Sequence, residues 1–142
     1  MVHVLVPVDD SDRAMNALEF VLENYPDASI TALHVINPST FPAGGFESGI
    51  TTDLDSIRKN KRNQAEQLLE TFRERAADRG VGIETAIVTG KPTERIVDYA
   101  EDNDADVITI GSHGRTGASR VLLGSVAEAV VRRSPIPVTV VR

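Results

Sequence analysis

The sequence contains no cysteine, so disulfides, thiolate nucleophiles and thiolate-held metals are all excluded. A reducing interior suits such a chain, and the cytoplasm is the expected location. Its three histidines, His3, His34 and His113, are scattered and show no spacing that resembles a zinc site. Lysine is nearly missing as well: of the 15 basic residues only Lys59, Lys61 and Lys91 are lysines. The arginine bias fits adaptation to high salt, but the acidity is too mild to require it. Long apolar runs are also lacking. Those present are short and bounded by charge, and the opening MVHVLVPVDD carries neither a basic flank nor a small-residue cleavage pattern. Neither a membrane span nor a signal peptide is expected. No clustered basic face is legible, and a net charge of −6 with a pI near 5.0 argues against binding nucleic acid through bulk electrostatics. The stretch RKNKR at 58–62 reads as an exposed helix face rather than a docking patch.

What is present points to a single domain, residues 1–142, with a full core of its own: 15.3 kDa of chain, 41% of it hydrophobic. Short β-branched runs are expected to form strands at Val2–Val8, Ser29–Ile36, Gly82–Val88, Asp106–Gly111 and Pro137–Val141. Most are apolar almost throughout, as in buried parallel strands. Helical patterns lie between them at Ser11–Asn24, about Leu54–Arg79, Thr93–Asn103 and about Val121–Arg133. Ser11 is placed as an N-cap, Gly80 as a left-handed helix terminator, and Pro92 as a helix opener. Alternation of strand and helix implies right-handed crossovers and an α/β fold: a doubly wound, Rossmann-like sheet of five parallel strands in the order 3-2-1-4-5, with helices on both faces. In such sheets ligands bind beyond the carboxyl ends of the strands where the strand order reverses. The loops converging there are DDSD after the first strand and GSHGRTG after the fourth. The irregular segment Asn37–Thr52 reads either as a solvated connection or as a lid over a site.

A glycine-rich turn leading from a strand into a helix lets backbone N–H groups approach a phosphate, and the helix N-terminus adds its positive end. The stretch GSHGRTGASRVLLGSVAE at 111–128 has that form. It carries neither the G-x-x-x-x-G-K-[ST] loop nor the G-x-G-x-x-G fingerprint. Its actual spacing is Gly111, two residues, Gly114, nine residues, then Gly124 and Ser125. Together with VLVPVDDS at the start, LHV at Leu33–Val35, Gly90 to Ala100 as G-x-P-x-x-x-I-x-x-x-A, and the closing SPIPVTVV, this spacing resembles the ATP-binding branch of the universal stress protein family over the whole chain.

That resemblance implies a site for ATP with magnesium or manganese. It implies that Asp9 and the backbone of Gly111 hold the ribose and that the main chain of Val35 reads adenine, with Pro7 and Ile110 lining the base pocket. Gly114, Gly124, Ser125 and Val126 would then cradle the phosphates, with Arg115 beside them. One position departs from the pattern: Asp10 stands where many relatives have glycine or an apolar residue, and with Asp12 it makes the phosphate surroundings more negative unless a divalent cation intervenes. Asp9 also has a purely structural reading, as the support of a turn. His113 reads as a loop hydrogen-bonding residue, since no nucleophile or triad partner accompanies it, and His34, inside a strand, as a packed one. The expected function is a nucleotide-dependent stress-response or signalling switch. A slow ATPase, a nucleotide-using transferase and a dimeric scaffold are the alternatives, catalysis ranking behind because no base, loop lysine or carboxylate pair is evident. The last strand is expected at the sheet edge, where Val138 and Val140 are the centre of an expected homodimer.

Overall fold

The computed structural model describes residues 1–40, 54–112 and 123–142. Its elements are β1 (His3–Pro7), α1 (Asp12–Asn24), β2 (Ser29–Ile36), a 3-10 turn at Pro38–Thr40, α2 (Leu54–Asp78), β3 (Glu84–Thr89), α3 (Pro92–Asp102), β4 (Val107–Gly111), α4 (Ser125–Arg133) and β5 (Val138–Val141). The five strands form one sheet in the order β3-β2-β1-β4-β5, every neighbouring pair parallel. This is the doubly wound α/β architecture anticipated above, with β1 at the centre and the order reversing beside it.

Side chains alternate between the two faces of the sheet. Val4 and Val6 of β1 and Val8 just beyond it meet Leu18 and Val21 of α1 and Phe72 of α2 on one side. Leu5, Leu33, Ile108 and Ile110 meet Ile96 of α3 and Val130 of α4 on the other. Both faces of β1 and β4 are thus covered, which is why their sequences read as unbroken apolar runs rather than as alternating ones.

Local signals set most of the boundaries. The Ser11 hydroxyl accepts a hydrogen bond from the Ala14 N–H at 3.2 Å and opens α1. Gly80 follows α2 with φ +75°, in the left-handed region, and Pro92 is the first residue of α3. Two boundaries differ from expectation by more than one residue. β3 begins at Glu84 rather than Gly82, because its ladder with β2 starts at the Thr31–Glu84 pair and the preceding Val81 and Ile83 pack into the α1–α2 core instead. α4 begins at Ser125 rather than near Val121. Leu123 and Gly124 are not helical, and Gly124 is extended at φ −64°, ψ 158°, with its N–H drawn onto the Ser112 carbonyl at 2.5 Å. That bond turns the chain back to the end of β4, and apolar periodicity carries no trace of it. Among the described residues no helix is long and apolar enough to cross a membrane.

Candidate functional site

The carboxyl ends of β1, β2 and β4 and the first turn of α4 surround a cavity of about 280 Å³. Pro7, Asp9, Val35, Ile110, Gly111, Gly124, Ser125 and Val126 all line it. Gly114 and Arg115 lie outside the described residues, as does His113. Eight positions singled out from four separate stretches of sequence therefore share one hollow, at the place where the strand order reverses.

Each wall has a local cause. At the end of β1, Asp9 Oδ1 accepts from the Ser11 N–H at 2.9 Å and also from the Ser11 hydroxyl. Asp9 thus supports the turn into α1, the structural role allowed above, while both of those bonds fall on one carboxylate oxygen. β2 supplies main chain. The Leu33 carbonyl accepts from the Val8 N–H at 2.8 Å on the β1 side, and the Ile36 carbonyl accepts from the Gly90 N–H at 2.9 Å on the β3 side. Successive residues of a strand point their backbone groups to opposite edges, so Val35 points its N–H and C=O toward β1. The β1–β2 register ends at Pro7–Leu33. Val35 therefore presents its backbone groups beyond the last rung, into the cavity.

The fourth wall depends on two glycines thirteen positions apart. An added Cβ on Gly111 would come within 2.7 Å of the carbonyl carbon and oxygen of Arg13. Only glycine lets the first turn of α1 lie this close to β4. Directly after it, the Ser112 N–H donates to the Val141 carbonyl at 2.7 Å while the Ser112 carbonyl takes the Gly124 N–H. Ser112 is 1% exposed and so binds β4, β5 and the start of α4 together, placing Gly124 beside Gly111. The first intrahelical bond of α4 is from the Glu128 N–H to the Gly124 carbonyl at 2.9 Å. The N–H groups of Ser125, Val126 and Ala127 have no acceptor within the helix, and all three residues line the cavity. Three donors and the positive end of a nine-residue helix make this wall attractive to an anion.

Sequence reasoning missed the contribution of α3, whose Pro92 and Ile96 also line the cavity. Both are fixed letters of the G-x-P-x-x-x-I-x-x-x-A pattern, so the signal was present but served only the resemblance and, at Pro92, the opening of a helix. It also missed Ser112, which no motif marks. Among the described residues no group of three or more histidine, aspartate or glutamate side chains is arranged to hold a metal ion. Asp9 lines this cavity and Asp10 the hollow that adjoins it; such a pair of carboxylates does not make a cage for a resident metal ion.

The profile of the Universal stress protein family matches residues 1–142. The universal stress protein MJ0531 of Methanocaldococcus jannaschii is 33% identical over 144 residues, spanning 98% of this chain and 81% of that one. The solved structure of MJ0577, a universal stress protein of the same organism, has a TM-score of 0.83 and 32% identity and covers 99% of this chain and 94% of its own. A universal stress protein of Archaeoglobus fulgidus, solved in complex with dAMP, has a TM-score of 0.69 and 27% identity, covering 100% and 98%. With its profile matched from end to end and its fold shared, this chain belongs to the universal stress protein family.

Proposed function

We propose that the protein binds ATP, with a divalent ion carried on the phosphates, and acts as a nucleotide-dependent stress-response or signalling switch in dimeric form. One observation carries this reading: the backbone edge of Val35, the carboxylate of Asp9 and the open N–H groups of α4 converge on one cavity. They offer what adenine, ribose and phosphate respectively require. Val35 provides a main-chain donor and acceptor for the base edge, between Pro7 and Ile110. Asp9 and the Gly111 backbone meet the sugar. Gly124, Ser125 and Val126 meet the phosphates, and Gly114 and Arg115 complete this cradle in the resemblance. The relative from Archaeoglobus fulgidus, solved with dAMP, supports an adenine nucleotide as the ligand class.

The base specificity is the part most open to direct test. Guanine reverses the donor and acceptor order that adenine presents, leaving the Val35 groups unpaired at about 1–3 kcal/mol. Thermal-shift titration should therefore show ATP raising the melting temperature at concentrations roughly tenfold below those needed for GTP. Equal shifts for both nucleotides contradict base reading at Val35.

A further inference from the structure

His34 stands on β2 next to Val35 and faces two hollows. One is the cavity described above; the second, of about 440 Å³, opens on the α2 side, and the two meet at Asp9, His34 and Val35. One ring nitrogen is committed. Nδ1 lies 2.8 Å from the Val8 carbonyl oxygen, and because a carbonyl only accepts, Nδ1 carries the proton. In the neutral ring Nε2 is then an acceptor. Thr109 Oγ1 is the one buried side-chain nitrogen or oxygen among the described residues that lacks a partner. No donor among those residues reaches Nε2 either, so it is open to the hollows rather than sealed in the core.

The same ring fixes the approach to Asp9. Val8 gives its N–H to the Leu33 carbonyl at 2.8 Å and receives the His34 N–H on its own carbonyl. β2 thus holds the residue just before Asp9 by both of its backbone groups, and His34 lines the same two hollows as Asp9. A carboxylate oxygen and an imidazole lone pair at one wall match a ligand that brings two neighbouring donors. The vicinal hydroxyls of a ribose are such a pair.

We propose that His34 is a sugar-contact residue that accepts from one ribose hydroxyl through Nε2 while Asp9 accepts from the other, so that the site prefers ribonucleotides with an intact diol. This inference rests on the nucleotide reading above and adds to it the selection of the sugar. Asparagine at position 34 separates the two duties of the ring. Its amide N–H reaches the place of Nδ1 and keeps the Val8 bond, but it has nothing in the place of Nε2.

The experiment is calorimetric titration of wild type and His34→Asn with ATP, 2′-deoxy-ATP and 3′-deoxy-ATP, with circular dichroism to compare their folds. For the wild type, ATP should bind about threefold to tenfold more tightly than the deoxy derivative lacking the hydroxyl that Nε2 accepts. In His34→Asn that preference should vanish through weaker binding of ATP alone. A wild type indifferent to both deoxy derivatives overturns the proposal even if the variant fails to fold. So does a preference that His34→Asn retains in full, because the diol is then read by Asp9 without His34. A wild type that binds none of the three nucleotides removes the nucleotide reading itself, an outcome distinct from indifference among them.

Discussion

Gly111 and Gly124 look alike in the sequence but answer different physical demands, and substitution separates them. At Gly111 a methyl group would meet the Arg13 backbone at 2.7 Å, and main chain inside a packed helix turn cannot swing aside. Gly111→Ala should lower stability by about 1–3 kcal/mol, the usual cost of overpacking, seen as a lower urea midpoint with an unchanged slope. An unchanged midpoint would mean that α1 can move away from β4. Gly124 has an ordinary extended backbone that any residue adopts, so Gly124→Val should cost only about 1 kcal/mol as a poorer N-cap while its branched side chain obstructs the cradle. Tyr99 makes a separate demand. Burial, and after it the Glu84 carboxylate, raises the phenol above its ordinary 10.0. The folded chain then holds this proton more tightly than the unfolded one, so Tyr99 leaves stability intact below about pH 10 and subtracts from it as pH climbs toward the raised value. Tyr99→Phe should flatten the alkaline loss measured by urea unfolding between about pH 9 and 11; parallel losses in both proteins would contradict the assignment.

Among the elements, α2 is divided in a way its length conceals. All of its buried residues, Ala65, Leu69, Phe72 and Ala76, lie in the second part, and Leu54 to Gln64 contribute none. Helical stability in proteins comes chiefly from packing an apolar face, so the amides of 54–60 should exchange with solvent well before those of 66–76. Hydrogen exchange read by mass spectrometry checks this, and uniform protection along α2 would contradict it. Phe72, 2% exposed, anchors the packed part, and Phe72→Ala should cost about 3–5 kcal/mol. The strands and the packed part of α2 were legible because a buried parallel strand and an amphipathic helix leave apolar residues at their own periods, as in VHVLVPV and at Ala65, Leu69, Phe72 and Ala76. The start of α4 was not legible, because a single hydrogen bond from Gly124 to Ser112 decides it. Gly111 was legible as a necessary glycine, yet the neighbour that makes it necessary, Arg13, lies 98 positions earlier and belongs to another element. Pro92 and Ile96 stood in a quoted pattern, but only the packing of α3 beside β2 brings them to the cavity.

For the whole molecule the open edge of the sheet matters most. Among the described residues β5 pairs only with β4. The carbonyls of Pro137 and Val141 point to β4, where they accept from Ile108 and Ser112 at 3.0 and 2.7 Å. By alternation the N–H and C=O of Val138 and Val140 point to the open edge, while their half-buried side chains rest against the α3–α4 core. The proposed homodimer pairs this edge antiparallel with its twin. Val140→Pro removes one outward donor and none of the bonds to β4, so it should leave the monomer folded. Light scattering should give about twice 15.3 kDa for wild type and a single chain mass for the variant. A dimer indifferent to Val140→Pro would place the association surface elsewhere. The central claim is that the cavity at the carboxyl edge binds ATP through the N-terminus of α4, and calorimetric titration of wild type and Gly124→Val with ATP and magnesium tests it most directly. The expected result is saturable binding by wild type, at least tenfold weaker or lost in a variant whose unfolding midpoint remains close to that of wild type. Absence of heat at near-millimolar ATP with wild type, or equal affinity in Gly124→Val, would contradict it.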